Sequence, residues 1–212
     1  MPTRYLLVIA LIGAATMSSA SQGADEWRPL FNGKDLQGWS HVGPGRFVID
    51  NGILRTEGGM GLLWYTREKF SNTTLRVVFR VPQPAGGNSG LFIRIPTEPT
   101  EPWMPVHKGF EVQIDAQGDD HHRTGVLYSF TKAKARPAMQ EWNTMDVTLD
   151  GDRTIVVVNG VTVTDFSDGD AVPARAQPHE PERGPRPKSG YIGLQNHSDQ
   201  DVVLFREISV RR

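Results

Sequence analysis

The chain has 212 residues, and its 23 Lys and Arg against 24 Asp and Glu leave a formal net charge of −1. That balance removes the electrostatic basis for nucleic-acid binding. There is no cysteine to staple the fold, while 22 Gly and 15 Pro call for the many turns of an all-β protein.

In chain order, Arg4 precedes an apolar run from Leu6 to Ala15, the length of a signal-peptide core and too short for a membrane span. Small residues at Ser18, Ser19 and Ala20 place the expected cleavage after Ala20, so residues 1–20 are read as a signal peptide. Residues 21–212 then form a single domain, long enough to bury a core without cross-links. Without a cysteine there is no lipoprotein anchor, and no membrane contact is expected after cleavage. Export without disulfides points to a bacterial periplasm or the extracellular space.

Strand signals dominate the rest. Phe47–Ile49 and Gly52–Leu54 flank a turn at Asp50-Asn51-Gly52, and Thr154–Val158 and Val161–Phe166 flank Asn159-Gly160, a strong hairpin signal. Between and after these, strands are expected over 74–81, 90–95, 110–115, 126–130, 145–150, 191–197 and 202–210. No stretch has a convincing helical period. Ten to twelve short strands in succession read as a jelly-roll β-sandwich of two antiparallel sheets. Two Pro-rich segments interrupt the rhythm. The one over 96–109, with Trp103, Met104 and His107, is expected to form a rim; the one over 168–189 is either a lid or a loose loop.

The polar positions have a pattern of their own. Strand alternation puts Glu111, Gln113 and Asp115 on one face, with Phe110, Val112 and Ile114 on the other. It likewise joins Tyr191, Gln195 and His197 opposite Ile192 and Leu194. An aromatic ring to stack on a sugar and polar groups to fix its hydroxyls make a carbohydrate-binding set. In Leu91–Ile95, alternation groups Phe92 with Arg94, and so apolar a strand requires a partner for the Arg94 charge, for which Glu111 and Asp115 are the candidates. Trp142 either stacks on a sugar or caps the core, and the turn Asp119-Asp120-His121-His122 carries metal-capable side chains that surface loops also carry. No phosphate loop, nucleophile elbow, zinc helix or dinucleotide fingerprint is present.

Eight segments in order resemble one family. Leu30-Phe31-Asn32-Gly33-Lys34-Asp35-Leu36-Gln37-Gly38-Trp39 is similar to the opening signature of the 3-keto-disaccharide hydrolases, and Asn88–Arg94 and Gly109–Ile114 resemble their second and third motifs. Gly125–Tyr128, Glu141–Thr144, Asn159–Val161, Gly193–His197 and Phe205–Ile208 follow in the family's order, so the likeness spans Trp27 to Arg211. Ser198 stands where the family pattern has Gly. The resemblance implies a concanavalin-like jelly roll and a 3-keto-glucoside 1,2-lyase, a 3-keto-glucal hydratase or a net hydrolase. A ketone at C3 acidifies the C2 hydrogen, a base removes it, and the C1 substituent leaves by β-elimination before water adds back. On that reading Glu111 or His197 is the base, and Arg94 pairs with Glu111 or steadies the enolate. Gln113, Gln195 and Tyr191 hold hydroxyls, Asp115 orients a neighbour, and Trp103 and Trp142 offer rings to the substrate.

Two other readings stand beside it. Jelly rolls also serve as non-catalytic carbohydrate-binding modules, which convergence of Glu111, Arg94 and His197 would argue against. A retaining glycosidase needs two carboxyls about 5–5.5 Å apart, whereas Glu111 and Asp115 have Cα atoms about 13 Å apart on an ideal strand. The expected partner is a small carbohydrate substrate. No string of ligands demands a cofactor or metal, although loop carboxylates leave a divalent cation open.

Overall fold

The computed structural model describes residues 26–82 and 87–212, so the expected signal peptide lies outside the described residues. Thirteen strands and one short helix follow in order: β1 (Arg28–Pro29), β2 (Trp39–Val42), β3 (Arg46–Asp50), β4 (Ile53–Glu57), β5 (Gly61–Tyr65), β6 (Thr73–Arg80), β7 (Ser89–Ile95), α1 (Met104–Lys108), β8 (Phe110–Ile114), β9 (Asn143–Asp150), β10 (Arg153–Val158), β11 (Val161–Ser167), β12 (Tyr191–Asn196) and β13 (Leu204–Arg211). They build a jelly-roll sandwich of two antiparallel sheets. The larger sheet runs β11-β10-β9-β6-β13-β4-β3, with β1 added on β13; the smaller runs β2-β5-β12-β7-β8.

The two turns read from sequence close as expected. Asn51 and Gly52 have φ of 50° and 81°, and Asn159 and Gly160 have 50° and 80°. Positive φ at both central residues gives the twist that antiparallel neighbours need. Strands β1, β2 and β5 escaped the sequence reading. The expected strand over 126–130 is a series of turns instead, touching β8 through a single bridge from Leu127 to Val112.

Alternation sorts the apolar residues into two layers. Val77, Phe79, Met145, Val147 and Phe205 of the larger sheet meet Leu63, Leu91, Ile93, Val112 and Leu194 of the smaller in the sandwich core. A second, smaller cluster of Leu62, Trp64, Phe92 and Ile95 lies on the opposite face of the smaller sheet, and Val106 of α1 packs onto it. The Pro-rich segment over 96–109 therefore covers half of that outer face. The other half carries the polar side chains of β8 and β12.

Segment 168–189 is fixed to the same side. Arg186 donates from Nε to the Gly109 carbonyl at 2.7 Å, and its guanidinium lies 5.2 Å from the rings of Phe110 and Phe130. Arg183 donates to the carbonyls of Pro173 at 2.8 Å and Pro181 at 2.7 Å and pairs with the buried Glu180. This answers the choice left open by the sequence: the segment is a pinned strap along the rim.

Candidate functional site

The register across β12, β7 and β8 builds the floor of a cavity. Gly90 pairs with Gln113, Phe92 with Glu111, and Leu91 with Leu194, which sets Gln195 beside Gly90 on its other side. Gly90 has no side chain, so Glu111 can lean across it toward Gln195. The resulting cavity of about 180 Å³ is lined by Asn88, Trp103, Val106, Glu111, Gln113, Tyr128, His179, Gln195 and His197. Trp103 and Val106 come from the Pro-rich segment and His179 from the strap, so both long segments supply walls.

Among the described residues Glu111 is the only acid on this lining, and no cation pairs with it. Burial pushes its carboxyl up to about 8, outweighing a downward pull from the Gln195 side chain. Desolvation disfavours the carboxylate, so the group is mostly a neutral acid at pH 7. Tyr128 stands beside it because its backbone N–H donates to the Glu111 carbonyl at 2.9 Å. Burial also raises the Tyr128 hydroxyl, with the charge of Glu111 adding to the effect, so it stays a donor.

His197 is held differently. Its Nδ1 lies 2.6 Å from Oδ2 of Asp201, which also accepts from the Ser198 hydroxyl at 2.6 Å, while Oδ1 accepts from the Asn88 N–H at 2.9 Å. Burial pushes the Asp201 carboxyl up, but these hydrogen bonds outweigh it and hold the group below its ordinary value. Asp201 is therefore a carboxylate, Nδ1 carries the proton it binds, and Nε2 is left as the free basic nitrogen. Ser198, the departure from the family pattern, is one of the groups that hold Asp201.

Two glutamines complete the floor. Gln113 donates from Nε2 to Asn88 Oδ1 at 2.9 Å. Both Gln113 and Gln195 are buried, and the Oε1 of each has no partner among the described residues. Buried acceptors without donors are costly unless a ligand supplies them. These two line the cavity and suit the hydroxyls of a sugar.

Glu111, Gln113, Gln195, His197 and Trp103 thus come together as expected. Four other candidates stand elsewhere. Arg94 is a correction: it sits at a β-bulge between β7 and β12 with φ 56°, and the bulge breaks the alternation that grouped it with Phe92. Its guanidinium crosses to the larger sheet and donates to the carbonyls of Gly151 at 2.9 Å, Pro187 at 3.1 Å and Arg153 at 3.1 Å. Neither Glu111 nor Asp115 pairs with it. Asp115 lies just past β8, where its Oδ1 accepts from Gln117 N–H in a turn and its side chain misses the cavity. Tyr191 is on the expected face, but its ring packs edge-on against Trp64 at 5.0 Å, in the apolar cluster. Trp142 stands on the far side of the larger sheet, where the guanidinium groups of Arg80 and Arg206 lie 5.1 and 4.8 Å from its ring. The Asp119–His122 turn closes on itself through a 2.8 Å contact of His122 Nδ1 with Asp119. Among the described residues no three His, Cys, Asp or Glu side chains gather as metal ligands, and no helix is long and apolar enough to cross a membrane.

A family model for the 3-keto-alpha-glucoside-1,2-lyase-like domain matches residues 26–211. The chain belongs to that family. No curated protein matches its sequence. Among solved structures, this 3-keto-alpha-glucoside-1,2-lyase-like domain is similar to two proteins of Parabacteroides distasonis provisionally named glycosyl hydrolases. The first is 24% identical with a TM-score of 0.67, over 88% of this chain and 99% of the other. The second is 19% identical with a TM-score of 0.70, over 87% and 93%. A carbohydrate-binding module of Bacillus subtilis, CBM66, is 14% identical with a TM-score of 0.58, over 82% and 96%. At these identities the likenesses establish the jelly-roll fold, and the family match establishes a carbohydrate-active domain.

Proposed function

We propose that the protein is an exported enzyme that cleaves 3-keto-glycosides by β-elimination and hydrates the product, a net hydrolysis. The observation that carries this reading is the pairing of unlike groups in one cavity: a neutral Glu111 acid and a His197 base oriented by Asp201. A carboxyl that burial keeps protonated is suited to be the acid, and an imidazole oriented through Nδ1 by Asp201 is suited to be the base. The choice between Glu111 and His197 left open by the sequence therefore falls to His197 as base.

In the first step His197 Nε2 takes the C2 proton of the 3-keto sugar. The C–H electron pair becomes the C2–C3 enolate and then the C1–C2 double bond as the C1–O bond breaks. The departing oxygen takes the Glu111 proton, giving an alcohol and an enone. In the second step the Glu111 carboxylate takes a proton from water as hydroxide adds to C1, and protonated His197 returns its proton to C2. Both residues end as they began. Enolate charge on O3 needs a donor, and the Tyr128 hydroxyl is available where Arg94 is not. Positioned acid–base groups contribute about 10²–10⁴-fold each. The oxygens Oε1 of Gln113 and Gln195 accept from ring hydroxyls.

The glycosidase reading loses support because a two-carboxylate mechanism finds only one acid among the described residues of the cavity. A binding module would have no use for a neutral acid facing an oriented imidazole. The test is turnover of a 3-keto-glucoside beside its ketone-free parent. Release of aglycone from the ketone alone, and its loss in Glu111→Gln, is the expected result; turnover of the ketone-free glucoside refutes the elimination route.

A further inference from the structure

The cavity of about 180 Å³ is smaller than the about 300–1,000 Å³ of drug-sized ligand sites. One pyranose ring fits, and the group on C1 must lie outside, over the rim. The rim there is Trp103. Three large hydrophobic side chains are exposed among the described residues, Trp103, Met139 and Val161, and of these only Trp103, at 44% exposure, borders the cavity. Isolated exposed apolar residues need no explanation, but a rigid indole at the mouth of a polar cavity is a stacking surface. Its backbone is anchored, because Pro102 precedes it and Met104-Pro105 begins α1, whose Val106 is buried in the outer apolar cluster.

The polar groups of the lining are concentrated on the floor. Asn88, Glu111, Gln113, Gln195 and His197 lie on or beside the strands of the floor, Tyr128 enters from a turn, and among the described lining residues the strap adds the exposed His179. Outside the cavity a second sugar keeps its hydroxyls in water and gains from the indole only over a C–H face. An aromatic ring gains over its whole face. Resting on the function proposed above, we infer that Trp103 is the aglycone platform and that the substrates are 3-keto-glycosides of aromatic alcohols rather than of a second sugar.

Calorimetry with unreactive probes tests this apart from catalysis: phenyl glucoside, methyl glucoside and a glucose disaccharide, each in both anomers. Wild-type protein is expected to bind a phenyl glucoside about tenfold tighter than its methyl counterpart. Trp103→Ala should erase that ratio and Trp103→Phe should keep most of it. The Trp103 side chain makes no cap to α1, so the alanine variant retains the helix. Equal phenyl and methyl affinities, no detectable phenyl glucoside binding, a ratio that survives Trp103→Ala, or tighter binding of the disaccharide overturns the platform. The matching 3-keto-glycosides are assayed in parallel. If the binding ratios hold but no 3-keto compound turns over, the elimination reading fails and the platform stands. If the 3-keto compounds turn over with no dependence on Trp103, the platform fails and the elimination reading stands.

Discussion

Glu111 lies directly over Gly90: a β-carbon at Gly90 would stand 2.6 Å from Glu111 Cγ and 2.7 Å from its Oε1. Gly90 has no left-handed φ, so the glycine is required by space and not by backbone conformation. Gly90→Ala should therefore fold but push the carboxyl away from Gln195 and the substrate. Misplacing a catalytic group by about 1 Å can lower turnover about a hundredfold. A fall of that order in kcat/KM, with a change of melting temperature of only a few degrees, is expected; unchanged turnover removes Glu111 from the chemistry.

Glu111 also makes stability depend on pH. Its ordinary value is 4.5 and the folded value is about 8, so between these the folded state holds a proton the unfolded chain has lost. Stability must then fall as pH rises, by up to about 1.4 kcal/mol per pH unit from this group, and level off above about 8. Asp201 has the opposite sign, its stabilisation being lost only as pH drops below the ordinary carboxylate range, outside this window. Melting curves from pH 5 to 9 should show Glu111→Gln gaining on wild type across that range. A constant difference between the two would mean that Glu111 is ionised in the folded protein.

The sequence carried most of the floor, Glu111, Gln113, Gln195 and His197, and one wall residue, Trp103. Alternation placed Glu111 and Gln113 on β8 and Gln195 on β12 because those strands are regular and have apolar partners at every second residue. It failed for Arg94 because a bulge with a non-Gly residue at positive φ leaves no mark in composition. It failed for Asp115 because β8 ends one residue earlier. Tyr128 and His179 reach the cavity from turns and a strap whose courses are set by long-range contacts such as Arg186 to Gly109. Asp201 had a faint signal, an acid four residues after His197, but nothing in Ser198-Asp199-Gln200-Asp201 distinguishes it from Asp199.

Removing that carboxylate is the test of His197. Asp201→Asn keeps the size and loses the charge that fixes the Nδ1 proton. A carboxylate behind a functional imidazole is worth about 10–100-fold in related settings. A fall of that size in kcat, with a shifted acidic limb in the pH–rate profile, is expected. A loss of stability with an unshifted profile would make Asp201 only the anchor of Ser198 and the Asn88 backbone.

Arg94 should respond in the opposite way. It is fully buried, has no carboxylate partner among the described residues, and satisfies three backbone carbonyls that belong to the β9–β10 turn, β10 and the strap. Arg94→Ala strands those carbonyls and leaves a cavity between the sheets, and a loss of about 3 kcal/mol or more is expected. Its guanidinium points away from Glu111, so kcat/KM per folded molecule should stay within a few-fold of wild type. Urea denaturation with active-site titration separates the two effects. A fully folded Arg94→Ala protein with turnover reduced a thousandfold would return Arg94 to the enolate-stabilising role and displace Tyr128 from it.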